Sequence, residues 1–166
     1  FWDSLEEDME PLEVLNRGFG GAQISHVIYH FEEIIKPYEP KAIVFFCGTN
    51  DLTALKTPEE TMSDFKKFLS LVRNEFGNIK VYVLGIKPSV DRLYLDKEER
   101  IFNSSIKLLA SQDAYLEYID VWDSMLSEDG SRMPELFIED GLHMNKKGYE
   151  VWTKQVRKSL SKDFNI

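Results

Sequence analysis

The stretch Ala42-Ile43-Val44-Phe45-Phe46-Cys47-Gly48-Thr49-Asn50-Asp51 decides the fold of this chain. Its first six residues form an uninterrupted apolar run, which is typical of a strand covered on both faces in a parallel sheet. A short polar group begins at Gly48, directly after the run. The pattern therefore predicts a buried strand that delivers polar side chains to one edge of a sheet.

Helix and strand patterns alternate on both sides of this run. The sequence Thr57-Pro58-Glu59-Glu60 has the form of a helix start with a capping box, and Gly77 is a typical helix stop. Between them lies an apolar stripe at helical spacing: Met62, Phe65, Leu69, Val72 and Phe76. Further strands are predicted at Val81 to Ile86 and Leu116 to Val121.

Three more helices are predicted from apolar spacing, with the marker residues Ile24, Val27, Ile28, Phe31 and Ile35; Phe102, Ile106 and Leu109; and Tyr149, Trp152, Val156 and Leu160. Strands that alternate with helices in this way predict an α/β domain with a mostly parallel sheet and right-handed crossovers.

The N-terminal residues predict a short helix, a strand and a turn. Ser4-Leu5-Glu6-Glu7 has the S-x-x-E form of a capping box, so we expect a helix that runs towards Met9 with Ser4 as its cap. Leu12 to Asn16 is predicted to be a short strand. It leads into the glycine-rich turn Arg17 to Gly21.

Composition restricts the class of protein. The 166 residues fit one domain, and 43% hydrophobic and 13% aromatic residues favour a folded globule. A net charge of -9 and a pI near 4.9 predict a surface that repels phosphate backbones and anionic membranes. We therefore expect no nucleic-acid partner. The single cysteine, Cys47, is predicted to be a buried, inert thiol.

No stretch of the sequence is long enough to span a bilayer, and no signal peptide is visible. The sequence therefore predicts no stable membrane insertion and a cytoplasmic location. It does not indicate an oligomeric state.

A carboxylate and an imidazole lie three residues apart in Asp140-Gly141-Leu142-His143, on a loop that enters the last predicted helix. Histidine is the side chain best suited to moving protons near neutral pH. An aspartate beside it can fix the tautomer and stabilise the imidazolium. We interpret Asp140 as the orienting acid and His143 as the general base of a hydrolase, although an ordinary loop acid beside a surface histidine has the same spacing.

Two other polar clusters also follow predicted strands, namely the glycine-rich turn and the Gly48 to Asp51 group. Acyl transfer needs donors aimed at the oxyanion of a tetrahedral intermediate. The backbone N–H of Gly21 and the side chain of Asn50 are candidate donors. The structural alternatives remain open: Gly20-Gly21 as a tight turn, and Asn50-Asp51 as a cap or turn.

These motifs resemble three blocks of the SGNH or GDSL-type hydrolases, a family of serine esterases and lipases. The turn Asn16 to Gly21 resembles the second block, Gly48-Thr49-Asn50-Asp51 the third, and Asp140-Gly141-Leu142-His143 the fifth. The resemblance covers nearly the whole chain and is greatest to the bacterial branch near the platelet-activating-factor acetylhydrolase subunits. It implies a three-layer α/β/α, flavodoxin-like fold.

The same resemblance implies the chemistry and the partners. It assigns Asp140 and His143 to the catalytic acid and base, and Gly21 and Asn50 to the oxyanion hole. The substrate is then a small carboxylic ester with an acetyl or short-chain acyl group, hydrolysed through an acyl-enzyme. No metal and no organic cofactor is required.

The family's nucleophile is a serine at the end of the first strand, and residues 1–166 do not contain that block. Ser4 is rejected as the nucleophile because no strand precedes it and it lies too close to Gly21. We expect the serine a few residues before Phe1. Residues 1–166 are then a single SGNH hydrolase domain that lacks its first strand and nucleophile turn, part of a longer polypeptide and inactive alone.

Two rival functions remain. The first is a non-catalytic binding or scaffold subunit that has lost the serine. The second is a metal-dependent phosphohydrolase that uses the carboxylates Asp51, Asp120 and Asp140 with His143. We expect Asp51 to brace its loop. We also expect His26 and His30, one helical turn apart, to be solvated.

Overall fold

The computed structural model describes residues 2–166. In chain order its helices and strands are α1 (Leu5–Met9), α2 (Ile24–Tyr29), α3 (Phe31–Ile34), β1 (Ala42–Phe45), α4 (Thr49–Thr53), α5 (Pro58–Phe76), β2 (Lys80–Leu84), α6 (Asp96–Ala110), β3 (Leu116–Ile119) and α7 (Lys146–Leu160). Short 3-10 turns lie at Lys36–Tyr38, Leu93–Leu95, Asp123–Met125 and Pro134–Leu136. The predicted α/β class is confirmed.

The chain divides into two compact units. The terminal unit consists of Phe1–Gly18, Lys87–Tyr94 and Ile119–Ile166, and the sheet unit consists of Phe19–Ile86 and Leu95–Tyr118. That residues 1–166 form a single domain stays a prediction. Within the described range, 2–166, no helix has the length and apolar character needed to cross a membrane.

The sheet has three strands in the order β1-β2-β3. β1 and β2 run parallel, with Ala42 opposite Lys80 and Phe45 opposite Val83. All residues of β2 after Lys80 are buried, as the continuous apolar pattern predicts. β1 differs, because Val44 is 43% exposed. The prediction that this strand is covered on both faces is therefore wrong, since β1 is an edge strand of the sheet and receives less cover than β2.

Helix α5 forms as its sequence predicts. The Thr57 hydroxyl accepts a hydrogen bond from the Glu60 N–H at 3.1 Å, and the Glu60 carboxylate accepts one from the Thr57 N–H at 2.8 Å. Gly77 ends the helix with φ 66°. The buried stripe packs into the core of the sheet unit, where Phe68 stacks on Phe45 with ring centroids 4.3 Å apart.

Helix α6 covers the predicted Phe102, Ile106 and Leu109 positions. Its buried Asn103 also pairs with the main chain of Ile86: the Ile86 N–H donates to Asn103 at 2.7 Å, and the Asn103 amide donates to the Ile86 carbonyl at 2.9 Å. This side chain satisfies backbone groups just beyond the end of β2. The apolar stripe of α6 gave no indication of that pairing.

Three predictions near the N-terminus are wrong. Leu12 to Asn16 do not form a strand, because a short apolar segment becomes a strand only where a neighbouring strand pairs with its backbone. Ser4 precedes α1 but forms no capping box, because its hydroxyl donates to the Asp8 carboxylate at 2.7 Å. The helix predicted from Ile24 to Ile35 is divided at His30, whose φ and ψ of -91° and 9° are not helical.

In the terminal unit, α7 packs against the N-terminal residues. The Trp2 ring stacks on Tyr149 with centroids 5.2 Å apart. The Arg157 guanidinium donates to the carbonyl oxygens of Asp8 at 3.0 Å and Glu10 at 2.7 Å. These bonds hold the C-terminal end of α1 and the residue after it against the last helix.

Candidate active site

The predicted acid and base lie on a tight hairpin in the terminal unit. Phe137 and Met144 form an antiparallel bridge at its base, and both side chains are buried. One residue further in, the Ile138 N–H donates to the His143 carbonyl at 2.9 Å. The Gly141 N–H then donates to the Ile138 carbonyl at 3.0 Å. These two backbone hydrogen bonds therefore support the conformation of the loop without any contribution from its side chains.

Asp140 and His143 contact each other directly within this hairpin. The Asp140 Oδ2 lies 2.6 Å from the His143 Nδ1. The Asp140 Oδ1 accepts hydrogen bonds from the N–H groups of Leu142 at 2.8 Å and His143 at 2.9 Å. The carboxylate is therefore fixed by one imidazole and two backbone donors.

These bonds lower the pKa of Asp140 to about 2, first through the hydrogen bond with the His143 side chain and then through the Leu142 N–H. Asp140 is therefore ionised at neutral pH. An ionised carboxylate at Nδ1 favours the tautomer with its proton on that nitrogen. Nε2 is then the basic nitrogen of His143, which is the arrangement that a general base requires.

Gly141 is required by the shape of the loop. Its φ of 64° lies in the left-handed region. A Cβ at this position would lie 3.2 Å from the Val90 Cβ and 3.4 Å from the Asp91 nitrogen. The Asp91 N–H also donates to the Gly141 carbonyl at 3.0 Å. The segment at Val90 and Asp91 therefore packs directly on the loop Asp140 to His143, which is the acid–base loop.

Asn145 joins this loop to α7. As the N-cap, its side-chain oxygen accepts hydrogen bonds from Lys147 at 2.9 Å and Gly148 at 3.3 Å. Its amide donates to the carbonyls of Glu135 at 2.8 Å and Phe137 at 2.9 Å. The role of Asn145 was not predicted, although an asparagine just before a helix is a typical cap. Asn145 holds the base of the hairpin on the start of the helix.

The predicted oxyanion residues lie in the sheet unit. Asn50 is in α4, which begins after Gly48. The Asn50 amide donates to the carbonyl of Ala22 at 3.0 Å, next to Gly21. Gly21 has a φ of 70° and no atom within 4 Å of a Cβ placed on it. Asn50 therefore contacts the segment that carries the second candidate donor.

Asp51 supports the same segment. It is fully buried, its carboxylate oxygens lie 3.1 and 3.3 Å from the Ile24 N–H, and it pairs with Lys56 at 2.8 Å. Lys56 also pairs with Asp64 at 3.0 Å. Burial lowers the pKa of Lys56, but its hydrogen bonds to Asp51 and Asp64 outweigh this and raise it. The prediction that Asp51 braces its loop is confirmed.

Cys47 also contacts this segment, because its thiol donates to the Ala22 carbonyl at 3.4 Å. The residue is 7% exposed, and burial raises the pKa of its thiol to about 12. The prediction of a buried thiol is confirmed. A thiol with this pKa is a poor nucleophile at neutral pH.

The structure brings together Asp140 with His143, and Asn50 with the residue next to Gly21. The meeting of Gly21, Asn50 and His143 around one point stays a prediction, and so do the catalytic roles of these residues.

The residues of the rival metal site have other partners. Asp51 is engaged by Lys56 and the Ile24 N–H, and an Asp120 oxygen accepts from the Trp122 N–H at 3.0 Å. Across residues 2–166, no three or more His, Cys, Asp or Glu side chains are placed to hold a metal ion.

The two histidines that were expected to be solvated, His26 in α2 and His30 just after it, make local contacts. His26 accepts from the Gln23 N–H at 3.4 Å, as part of a capping box at the start of α2. His30 pairs with Glu33 at 3.2 Å on an exposed surface. Both histidines therefore serve local structure.

Three comparisons relate the chain to known proteins. An N-acylneuraminate cytidylyltransferase from Escherichia coli is 26% identical over 94% of this chain and 36% of its own length. The rat platelet-activating factor acetylhydrolase IB subunit alpha2 is 27% identical over 89% of this chain and 64% of its own length. A solved structure described as a putative platelet activating factor from Streptococcus pneumonia matches with a TM-score of 0.83 and 23% identity. The match covers 96% of this chain and 78% of that one.

The chain thus spans about a third of the bacterial relative and less than two thirds of the rat one. The family model for GDSL-like lipases and acylhydrolases matches residues 1–151, which is most of the chain. The chain belongs to the GDSL-like Lipase/Acylhydrolase family.

Proposed function

We propose that the complete polypeptide hydrolyses small carboxylic esters, with acetyl or short-chain acyl groups, through an acyl-enzyme. The contact between Asp140 and His143 carries this proposal. The two side chains lie 2.6 Å apart, and the carboxylate is held by two further backbone donors. Family membership supports acyl-ester chemistry. The name of the rat relative, an acetylhydrolase, supports an acetyl group.

His143 moves protons in this reaction. Nε2 takes the proton from the nucleophilic serine as the serine oxygen bonds to the ester carbonyl carbon. Asp140 stabilises the resulting imidazolium through Nδ1. The imidazolium then gives the proton to the departing alkoxide, which leaves as an alcohol, and water reverses these steps to release the acid.

Gly21 and Asn50 stabilise the negative charge that forms on the carbonyl oxygen. The backbone N–H of Gly21 and the second amide hydrogen of Asn50 are the proposed donors, since the Asn50 amide already gives one hydrogen bond to Ala22. Loss of one such donor typically lowers the rate by about a hundredfold to a thousandfold. The nucleophilic serine that this mechanism requires is the remaining part of the proposal.

The test uses the complete polypeptide with p-nitrophenyl acetate, in the presence and absence of EDTA. We expect turnover that EDTA does not change, and covalent labelling by a fluorophosphonate probe at a serine. His143→Ala should lower kcat by at least about a thousandfold, because the serine then has no base.

Folding must be checked in parallel. His143 is partly exposed, so the variant should remain folded, with a melting temperature only slightly below that of the wild type. Loss of all turnover on addition of EDTA would favour the metal-dependent rival. A folded polypeptide that neither turns over the ester nor reacts with the probe would support the non-catalytic rival.

A further inference from the structure

Ile138 lies directly opposite His143 across the acid–base hairpin. The antiparallel bridge joins Phe137 to Met144, and the next pair inward is Ile138 with His143. The Ile138 N–H donates to the His143 carbonyl at 2.9 Å, which confirms that these two residues face each other. Side chains of directly opposed residues in an antiparallel pair lie on the same face.

Burial divides the hairpin into two faces. Phe137 and Met144 are 5% and 7% exposed, so their face points into the protein. Adjacent residues along a strand point to opposite faces. Ile138, which is 51% exposed, and the His143 side chain, which is 37% exposed, therefore share the outer face. An aliphatic side chain thus stands beside the imidazole in contact with solvent.

The chemistry of the proposed function identifies what binds there. His143 returns its proton to the departing alkoxide, so the alcohol oxygen must come within hydrogen-bond reach of Nε2. The first carbons of the alcohol then lie on the outer face of the hairpin, which Ile138 shares with the imidazole. Ile138 offers these carbons an apolar surface and no hydrogen-bonding group.

We propose that Ile138 is a specificity-determining residue for the leaving alcohol, and that it favours esters of apolar alcohols over esters of small or strongly polar ones. The inference rests on the proposed function, because it requires His143 as the acid that protonates the alcohol. It concerns the alcohol alone and predicts no change in the choice of acyl group.

The test compares ethyl, butyl and hexyl acetate with the complete polypeptide in a pH-stat. These alcohols have similar acidity, so differences in kcat/KM report contacts. We expect wild-type kcat/KM to rise about fivefold from ethyl to butyl acetate, as for roughly 40 Å² of buried apolar surface. Ile138→Ser should reduce this ratio to about one, and Ile138→Leu should restore most of it.

Two controls separate specificity from damage. Leu108→Ser removes another exposed apolar side chain, 62% exposed on α6, and should leave the butyl-to-ethyl ratio at the wild-type value. The ratio between ethyl butyrate and ethyl acetate, which varies only the acyl group, should be the same in wild type and Ile138→Ser.

The outcomes distinguish the two proposals. If the wild type hydrolyses the esters and Ile138→Ser keeps the wild-type butyl-to-ethyl ratio, the role of Ile138 is overturned while the proposed function stands. A change in the acyl ratio as large as the change in the alcohol ratio would also overturn it, because it would indicate a general distortion of the loop. A wild type that hydrolyses none of the esters overturns both proposals.

Discussion

Asp51 and Asp140 are both aspartates in motifs of this family, yet their surroundings differ. Asp51 is fully buried and pairs with Lys56 at 2.8 Å. Asp140 has 42% of its side chain exposed and contacts His143 at 2.6 Å. The first is held in the sheet unit by an ammonium group and a distant backbone N–H. The second is held in the terminal unit by donors from its own loop.

This difference distinguishes Asp51, which supports the fold, from Asp140, which is proposed to act in catalysis. A buried carboxylate paired with a lysine is costly to disturb, since its removal takes away one of the two carboxylates that Lys56 contacts and leaves the Ile24 N–H without its acceptor. An exposed carboxylate on an imidazole contributes little to folding, but it controls the tautomer and orientation of its partner. The same residue type therefore supports a segment of the fold in one region and, in the proposed mechanism, orients the general base in the other.

The largest expected effects come from exchanging each aspartate for asparagine. Asp51→Asn should lower the free energy of unfolding by about 2 kcal/mol, because Lys56 loses one of its two carboxylate partners and the new amide can face the Ile24 N–H with a second donor. Asp140→Asn should change it by less than about 1 kcal/mol, yet lower kcat by about ten-thousandfold. Urea unfolding and ester hydrolysis measure the two quantities.

The opposite ranking would break the comparison. If Asp140→Asn unfolded the protein and Asp51→Asn left stability unchanged, the assignment of support to Asp51 would be wrong.

A medium effect is expected at Gly141, with Gly130 as the matched control. Both glycines lie in the terminal unit with positive φ, 64° and 82°, but only a Cβ at Gly141 would meet Val90. Gly130→Ala should cost about 1 kcal/mol for the left-handed backbone alone. Gly141→Ala should cost about 2 kcal/mol and lower kcat at least tenfold by displacing the acid–base loop. Equal costs and equal activities in the two variants would show that contact with Val90 does not position the loop.

The smallest expected effect is a change in the pKa of Asp140. In the wild type this pKa is lowered from 3.8 to about 2, with the His143 side chain as the largest cause. In His143→Ala it should rise towards 3.8 but stay below it, because the backbone N–H groups of Leu142 and residue 143 still donate. Carboxyl-carbon NMR titration of both proteins measures this shift. A pKa that stays at about 2 in the variant would remove the imidazole as its main cause.

The same pKa gives a pH dependence with a definite sign. Because the pKa of Asp140 is lower in the folded state, the carboxylate stabilises the fold at pH values above 3.8. This contribution is lost as the pH falls towards about 2. The loss should be smaller in Asp140→Asn, which has no proton to take up at this position.

Local sequence patterns correctly predicted the helices and strands whose boundaries are set by residues close to them in the sequence. Helix α5 begins and ends at the predicted residues because the Thr57 capping box and Gly77 act within one helical turn. The contact of Asp140 with His143 was predicted for a similar reason, since both residues lie on one short loop. Strands β1, β2 and β3 also occur where apolar runs indicate them, each ending two residues before the predicted limit.

Patterns failed where the outcome depended on a distant partner. The apolar residues between Leu12 and Asn16 find no strand to pair with. Ser4 differs, because it bonds to Asp8 only one helical turn away. Asn103 donates a hydrogen bond to the carbonyl of Ile86, and Asn145 to the carbonyl of Phe137. Both carbonyls lie outside the helix that the asparagine belongs to or precedes, and no spacing in the sequence predicts these pairs. Apart from the contact of Ser4, each of these outcomes depends on which backbone groups lie nearby after folding.

The sequence by itself determined the α/β class, the long helix α5, the family motifs and the identity of the candidate acid and base, because these depend on neighbours within a few residues. Only the tertiary structure decided that Asp51 is a buried support for the segment after Gly21, that Val90 packs on the acid–base loop, and that Ile138 faces outwards beside His143. The physical reason is that burial and hydrogen-bond pairing are properties of the folded surroundings, which a local pattern does not contain.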